Sequence, residues 1–233
     1  MSNILTCAST DAKFPKKLNM IADPPERIYY KGDIEIINRS KCVAIVGSRN
    51  CSQEGLKLAY QTAEIAVNKG FVVVNGLALG CDVEALKGAL DQKGKCVAVM
   101  PCGLEQIQPK SNQYIADAIL EKGGCIISEY AEETPLQKYN YVKRDRIQSG
   151  ISDSVIIIEA QEKSGTMHTA DFATRQGKRL ACYAAALMKY SSGNKYLEEA
   201  KKVQALQSVK DAEKFLDYVI MEPGFEQISL KFE

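Results

Sequence analysis

The chain has 233 residues, of which 45% are hydrophobic and 25% are charged, and its formal net charge is +1. This length suits one large α/β domain with its own core, and the composition is that of an ordinary soluble globular protein. The near-neutral charge argues against a strongly basic nucleic-acid binder but leaves room for a local basic patch. No apolar run reaches the roughly 18 residues of a membrane span, and the N-terminus lacks a signal-peptide pattern. We therefore expect a cytoplasmic protein that has no membrane partner.

Eight cysteines are distributed along the chain without any C-x-x-C pair, and His168 is the only histidine. Several cysteines fall inside predicted buried strands, where a reduced cysteine packs as a small apolar side chain. A zinc site is poorly supported by one histidine and scattered cysteines. The sequence therefore predicts free thiols, no metal and no cofactor.

Six apolar runs rich in Val and Ile follow an N-terminal lead-in, residues 1–41, which we expect to dock on the core. The runs are continuous rather than alternating, which is typical of strands covered on both faces. Helical stretches separate them, and this alternation favours a parallel sheet with helices on both sides. The predicted strands are Cys42–Gly47, Phe71–Gly76, Lys95–Met100, Gly124–Tyr130, Ser154–Ala160 and Arg179–Ala184, and the predicted helices are 52–69, 82–92, 111–122, 135–150 and 165–177.

The core is predicted to span residues 42–190, and residues 191–233 are predicted to be a C-terminal helical tail of the same domain. Helical spacing of four apolar residues predicts one or two helices in that tail. These residues are Leu197, Ala200, Val203 and Leu206. No repeat, low-complexity segment or long linker interrupts the chain, so a single domain is favoured.

Four of the predicted strands end in residues suited to anions. Ligands bind beyond the carboxyl ends of the strands in an open parallel sheet, where helix N-termini present free N–H groups and a positive dipole end. Each strand end also has a purely structural interpretation, because such residues often only make a tight turn or cap a helix. Because four such strand ends lie on the same edge of the sheet, they favour a shared polar groove. They are Gly47-Ser48-Arg49 with Ser52 as a helix N-cap, Gly76 to Asp82 with Asp82 as a cap, Pro101 to Gly103 followed by Pro109 to Asn112, and Ser164-Gly165-Thr166.

The segment from Lys138 to Arg146 interleaves aromatic rings with cations. Such a pattern suits single-stranded nucleic acid, because bases stack on rings while cations follow the phosphates. The alternative is a solvated helix face whose arginines pair with Glu129, Glu132 or Glu133. Spacing alone leaves both interpretations open.

Motifs along most of the chain occur in a specific order. They include Ile21-Ala-Asp-Pro-Pro25, V-A-I-V-G-S-R at 43–49, G-L-A-x-G-x-D at 76–82, R-x-R-I at 144–147, and Ser164-Gly165. Over roughly residues 14–220 the chain resembles the DNA-processing protein A family, also called Smf. The resemblance implies a Rossmann-like, doubly wound α/β domain that binds single-stranded DNA and delivers it to a RecA-type recombinase in natural transformation or DNA processing. It also implies a homodimer without enzymatic activity.

The resemblance also assigns a set of residues to a nucleic-acid site. Arg49 matches the phosphate-contacting arginine of the family, Lys138 its groove lysine and Tyr141 its aromatic position. Further cations, hydroxyls or backbone donors would come from Gly47, Ser48, Arg144, Arg146, Ser164, Gly165 and Thr166. The turn at Gly47 to Arg49 would then hold a DNA phosphate.

Departures from the family pattern affect this site. Leu79 stands where a basic residue is common, Asp145 replaces the central Asn of R-N-R, and the Pro-Gly pair after the last strand is missing near Tyr183. Each lost phosphate contact weakens electrostatic binding. A Rossmann-like sensor for a nucleotide or nucleotide-derived ligand is therefore the alternative. A nucleoside-monophosphate phosphoribohydrolase is disfavoured, because the stretch Glu162–Thr169 lacks the P-G-G and the Glu of P-G-G-x-G-T-x-x-E.

Overall fold

The computed structural model describes residues 3–132, 134, 136–201 and 203–221, and these residues build one sheet. Its strands are β1 (Leu5–Ala8), β2 (Arg27–Gly32), β3 (Cys42–Val46), β4 (Val72–Asn75), β5 (Cys96–Met100), β6 (Cys125–Ser128), β7 (Ser154–Ile157), β8 (Arg179–Tyr183) and β9 (Gln204–Leu206). Across the sheet they lie in the order β1-β2-β6-β5-β4-β3-β7-β8-β9. The strands from β6 to β9 in that order are parallel, whereas β1 and β2 are antiparallel additions. The predicted mostly parallel sheet is confirmed.

Helices cover both faces of the sheet, as predicted. They are α1 (Ile36–Arg39), α2 (Gln53–Asn68), α3 (Cys81–Asp91), α4 (Gln113–Glu121), α5 (Lys138–Gly150), α6 (Gly165–Arg175), α7 (Ser192–Glu199) and α8 (Val209–Met221). Val43 and Ile45 of β3 belong to the hydrophobic cluster on the face covered by α2, α3, α4 and α8, whereas Ala44 belongs to the cluster on the face covered by α1, α5, α6 and α7. Fully burying a side chain such as Ile45 contributes roughly 1.5–3 kcal/mol. Within the described ranges, no helix is long and apolar enough to cross a membrane.

The sheet changes its direction of winding next to β3. Strands β4, β5 and β6 follow on one side of β3, and β7 and β8 pair on the other side. The neighbours β3 and β7 run parallel, with Val46 opposite Ile157. The helices that follow these two strands, α2 and α6, pack on opposite faces. The carboxyl ends of β3 and β7 therefore border a crevice, which is the switch point of a doubly wound sheet.

Both edges of the sheet differ from the expectations for residues 1–41 and 191–233. The N-terminal segment does more than dock on the core, because it adds β1 and β2 next to β6. In the tail, residues 204–206 form β9, so the assignment of Leu206 to a helix was wrong. Backbone pairing with β8 outweighs side-chain spacing over so short a segment. Residues 222–233 of the predicted tail lie outside the described residues.

The turns after β3 and β4 pack directly against each other. Gly80 has a φ of 77°, and a Cβ added there would overlap the carbonyl oxygen of Ser48. A Cβ added at Gly47 would overlap the Sγ of Cys81. The Cys81 amide donates a hydrogen bond to the Ser48 carbonyl oxygen at 3.2 Å. Glycine at positions 47 and 80 is what permits this close approach.

Gly80→Ala is expected to lower the free energy of unfolding by about 2–4 kcal/mol, because it combines an unfavourable φ with overlap at Ser48. Gly177→Ala is the matched control, since Gly177 also has a positive φ (65°) but nothing within 4 Å of an added Cβ. The control is expected to lose about 1 kcal/mol. Urea denaturation followed by circular dichroism measures both, and equal losses would contradict the described packing of the two turns.

Candidate functional site

A polar groove of about 430 Å³ opens at the carboxyl ends of β3 and β7. We call it the switch-point groove, because it occupies the crevice in which doubly wound sheets bind their ligands. Its walls come from the turn after β3, from α5 and from the first turns of α6. The lining residues are Val46, Gly47, Ser48, Arg49, Asn50, Ala78, Asp82, Tyr141, Arg144, Asp145, Gln148, Gln161, Ser164, Gly165, Thr166 and Thr169.

The turn after β3 forms one wall and carries Arg49. The Ser48 amide donates to the carbonyl oxygen of Glu159 at 2.7 Å, and the Asn50 amide donates to the Ser48 hydroxyl oxygen at 3.2 Å. These bonds define a tight turn that leaves the Arg49 side chain exposed at the mouth of the groove. Its guanidinium carbon lies 5.0 Å from the ring centre of Tyr141, a cation–π contact that keeps the charge beside the groove.

The N-terminus of α6 forms the opposite wall. Its first turn contains no acidic residue, and its N-cap Ser164 makes no side-chain capping bond. The Ser164 Oγ is buried and has no hydrogen-bond partner among the residues that the structure describes. Gly165 is exposed, and a Cβ added there would meet nothing within 4 Å. This wall therefore presents backbone N–H groups, a hydroxyl and the positive end of a helix dipole to an anion.

One buried carboxyl group, that of Glu159, organises the helix that follows β3. Its Oε2 accepts hydrogen bonds from the Ser52 amide at 2.7 Å and the Ser52 hydroxyl at 3.0 Å, and its Oε1 accepts from the Tyr190 amide at 2.7 Å. The Ser52 Oγ in turn accepts from the Gly55 amide at 3.1 Å, which confirms Ser52 as the N-cap of α2. Because its oxygens are occupied by these donors, Glu159 shapes the walls and does not bind ligand.

Asp82 lies in the floor of the groove and is 5% exposed. Its Oδ2 accepts hydrogen bonds from the amides of Gly76 at 3.0 Å and Ala78 at 3.4 Å. Asp82 thus holds the turn after β4, and the N-cap of α3 is Gly80 rather than the predicted Asp82. Burial raises the pKa of Asp82, and the neighbouring guanidinium of Arg144 opposes that rise.

Arg144 and Asp145 lie beside Asp82 in the floor and are 5% and 7% exposed. The Arg144 Nη1 donates to the Val99 carbonyl oxygen at 2.8 Å, and its Nε lies 3.1 Å from the Asp145 Oδ1. Burial raises the pKa of Asp145 to about 6, with Arg144 lowering it and Asp82 raising it to smaller extents.

The switch-point groove therefore separates its charges by depth. The exposed rim has Arg49 and the N-terminus of α6, which attract anions. In the buried floor, two carboxyl groups outnumber one guanidinium. An anion is therefore attracted to the rim and finds no excess of positive charge in the floor.

Most of the residues predicted to bind nucleic acid line this groove, and the exceptions are Lys138 and Arg146. Lys138 is exposed at the first residue of α5. Arg146 is 5% exposed, pairs with Glu129, and has its Nε 3.0 Å from the Asp23 Oδ2. Residues two apart on a helix face different directions, so Arg146 cannot share the groove with Arg144. An ion pair between an arginine of this segment and Glu129 belongs to the alternative interpretation that the sequence left open, and Arg146 forms it.

Three of the four predicted strand ends contribute to the groove. The third does not, because β5 lies two strands away from β3. Cys102 and Gly103 instead line a separate cavity of about 310 Å³. Asn112 is buried and donates to the Leu77 carbonyl oxygen at 2.8 Å, so it supports the turn after β4.

Gln148 and Thr169 also line the floor, and the sequence analysis did not single them out. Each is 2% exposed. Gln148 follows Arg144 by four residues on α5, and Thr169 follows Gly165 by four residues on α6. Helical spacing places each on the same face as a predicted residue, and this signal was available in the sequence.

No cysteine or histidine is among the residues that line the groove in the described part of the chain. Among the described residues no cluster of three His, Cys, Asp or Glu side chains could hold a metal ion. All eight cysteines are free thiols, and seven of them are buried. Burial raises the pKa of Cys42, Cys96 and Cys182 to about 12, which makes these thiols poor nucleophiles.

A doubly wound sheet with an anion-attracting groove at its switch point defines the class of a Rossmann-like ligand-binding domain. A family model described as DNA recombination-mediator protein A matches residues 5–217. The chain therefore belongs to the DNA recombination-mediator protein A family, a family of DNA-binding proteins that act in recombination. The resemblance seen in its motifs is confirmed.

Curated relatives agree with this assignment. DNA processing protein DprA of Bacillus subtilis is 31% identical over 208 residues, which are 89% of this chain and 70% of the relative. DprA of Streptococcus pneumoniae is 37% identical over 72% of this chain, and protein Smf of Escherichia coli is 34% identical over 72%. The chain spans 58% of the length of the former and 44% of the latter.

Solved structures show the same fold. DNA processing protein A from Helicobacter pylori, reported for its single-stranded DNA binding mode, has a TM-score of 0.82 at 28% identity and covers 94% of this chain and 99% of its own. DprA from Streptococcus pneumoniae has a TM-score of 0.83 at 28% identity and covers 96% of this chain and 75% of its own. A molybdenum cofactor carrier protein from Chlamydomonas reinhardtii, with a TM-score of 0.56 at 18% identity over 79% of this chain and 100% of its own, shares the fold alone.

Asp145→Asn is expected to raise the free energy of unfolding at pH 7.5 by about 1–3 kcal/mol, because the fold favours the neutral carboxyl group. The folded-state pKa lies above the ordinary value of 3.8, so the advantage of Asn is full above pH about 6 and shrinks as the pH falls. Below pH about 4 the two proteins should be equally stable. Urea denaturation across this pH range measures the difference. Asp171→Asn is the control, since Asp171 is exposed on α6 outside the groove, and a pH-independent advantage of Asp145→Asn would contradict the account.

Proposed function

We propose that this protein binds single-stranded DNA in the switch-point groove and mediates DNA recombination. The observation that carries the proposal is the convergence of Arg49 and the N-terminus of α6 on one groove at the switch point of the sheet. Support also comes from the Helicobacter pylori relative, which covers 94% of this chain and is reported to bind single-stranded DNA.

The rim of the groove fits a phosphate of a nucleic-acid backbone. Arg49 supplies a planar fork of charged N–H donors, which matches the geometry of phosphate oxygens. The hydroxyl groups of Ser164 and Thr166 add neutral donors, and the first turn of α6 adds backbone N–H groups, whereas the Ser48 hydroxyl already donates to the Asn50 carbonyl oxygen at 3.0 Å. A phosphodiester between the two walls would be held from both sides. The turn at Gly47 to Arg49 then has the role that the family resemblance implies.

The size and surroundings of the groove favour an unpaired strand over a duplex. A volume of about 430 Å³ suits a small ligand such as one nucleotide. A duplex keeps its bases stacked inside, whereas a single strand can turn a base towards a protein ring. Tyr141 lies at the rim, and Tyr139 on α5 is 56% exposed. Exposed Lys138 precedes Tyr141 by three residues on α5, so it adds positive charge on the side of the helix that borders the groove.

Membership of the family supports a further part of the proposal. In it, this protein passes single-stranded DNA to a RecA-type recombinase in the cytoplasm and acts as a homodimer. A binding role without enzymatic activity is also consistent with the groove carboxyl groups. Asp82 accepts backbone hydrogen bonds and Asp145 pairs with Arg144, so both carboxyl groups have structural partners within the fold. Recombinase delivery and dimerisation are part of the proposal.

A second candidate function is the binding of a free nucleotide or a nucleotide-derived ligand. The observation in its favour is the acidic floor, where Asp145 replaces the Asn of the family motif. A mononucleotide would use the rim for its phosphate and would not need the cations along α5. Competition by mononucleotides against a labelled oligonucleotide separates the two candidates.

Arg49→Ala is expected to weaken binding of a labelled oligo-dT by about 10- to 100-fold, because it removes a charged donor from the rim. Fluorescence anisotropy measures the affinity at low salt and at fourfold higher salt. Three phosphate contacts predict a log–log slope of about −2, hence roughly a 20-fold loss for the wild-type protein over that range. Lys138→Ala should have a smaller effect, since Lys138 does not line the groove.

Arg175→Ala is the matched control, because Arg175 is an exposed arginine in the last turn of α6, far from the groove end of that helix. It should bind like the wild-type protein. The proposal is rejected if oligo-dT does not bind at micromolar protein, or if Arg49→Ala and Arg175→Ala weaken binding equally. Duplex DNA should compete poorly.

A further inference from the structure

The floor of the switch-point groove has the opposite chemistry to its rim. Asp82, Arg144 and Asp145 are each at most 7% exposed, so the floor has two carboxyl groups against one guanidinium. A phosphate placed there would be buried without an excess of positive charge to neutralise it, since Arg144 is already paired with Asp145. If the phosphate stays at the rim, the floor receives the uncharged part of a nucleotide, which is its base.

Asp145 is the floor carboxyl group with acceptor capacity to spare. Asp82 already accepts hydrogen bonds from the amides of Gly76 and Ala78. Among the residues that the structure describes, Asp145 has one ion-pair partner, Arg144, whose Nε lies 3.1 Å from Oδ1. An ionised carboxylate has about four lone-pair sites, so Asp145 can accept further hydrogen bonds from a group in the groove.

Two neutral polar side chains complete the floor. Gln148 and Thr169 are each 2% exposed, and both line the groove. Neither side chain forms a hydrogen bond to another residue within the described part of the chain. Their polar atoms are not among the fully buried unpaired atoms of the described residues, so they remain accessible to a ligand in the groove. Together with Asp145 they present donors and acceptors that suit the polar edge of a base rather than an apolar ligand.

We propose that this floor reads a nucleobase and that Asp145 gives the groove a preference for guanine. The inference rests on the proposed binding of single-stranded DNA and adds base selectivity to it. Specific recognition of single strands uses the Watson–Crick edges of unstacked bases, and carboxylates accept hydrogen bonds from base amino groups.

Guanine fits a carboxylate better than the other bases do. Its N1–H and its N2 amino group are adjacent donors, and they match the two oxygens of one carboxylate. Thymine has a single N–H between two carbonyl oxygens, and adenine and cytosine each place an acceptor nitrogen beside their amino group. These three bases would therefore direct lone pairs at Asp145. The Gln148 amide and the Thr169 hydroxyl can serve the remaining polar atoms of guanine.

The test measures binding of ten-residue oligo-dT strands in which one central base is replaced. Strands with a single dG, dA, dC or deoxyinosine are compared with unsubstituted oligo-dT by fluorescence anisotropy at pH 7.5. One dG should tighten binding by about tenfold, the range of one bidentate contact. Deoxyinosine, which lacks the N2 amino group, should lose most of that gain. A single guanine also avoids quadruplex formation.

Asp145→Asn should abolish the preference for dG and should bind oligo-dT somewhat more tightly, because a negative charge is removed. Asp171→Asn is the matched control, since Asp171 is exposed and does not line the groove, and it should keep the preference. If no oligonucleotide binds the wild-type protein, the proposed function fails and this inference fails with it. If all strands bind equally, only the base reading is overturned. A dG preference that persists in Asp145→Asn would remove Asp145 as its cause.

Discussion

The hydrogen bonds to Glu159 are the interaction on which the switch-point groove depends. This residue follows β7, and its backbone and side-chain oxygens accept from Ser48, Ser52 and Tyr190. These bonds join three segments, which are the turn that carries Arg49, the N-cap residue of α2 and the loop after β8. A carboxyl group that is 0% exposed is acceptable only when such donors surround it. Without Glu159 these N–H and hydroxyl groups would have no partner. Glu159 therefore determines which groups at this edge of the sheet face the groove.

The rim and the floor of the groove differ in charge, and this difference relates the shape of the groove to its proposed function. Cationic and N–H groups at the rim attract a phosphate, while the acidic floor keeps that phosphate from descending. A nucleotide of a single strand satisfies both regions at once, because its phosphate is charged and its base is neutral. The family resemblance implies Asn where this chain has Asp145, so the floor contains one of the departures from the family pattern.

Much of the fold could be predicted from the sequence because the relevant signals are local. Continuous Val and Ile runs identify the six central strands, and the glycine and serine residues after them mark the turns. Helical spacing separates Arg144 from Arg146, but which of the two faces the groove could not be predicted, since that depends on how α5 is rotated against the sheet. The partners of the Glu159 side chain, which are Ser52 and Tyr190, come from distant parts of the chain, and β9 is too short to leave a pattern. These features are set by tertiary packing.

Photocrosslinking tests the central claim, that single-stranded DNA occupies the switch-point groove, most directly. An oligo-dT that contains 4-thiothymidine is irradiated with the protein, and the modified peptides are identified by mass spectrometry. The account predicts crosslinks in the peptides that hold Arg49, Tyr141 and Thr166, and their loss when unlabelled single strand competes. Crosslinks confined to α8 or to the amino ends of the strands, with none in these peptides, would contradict it.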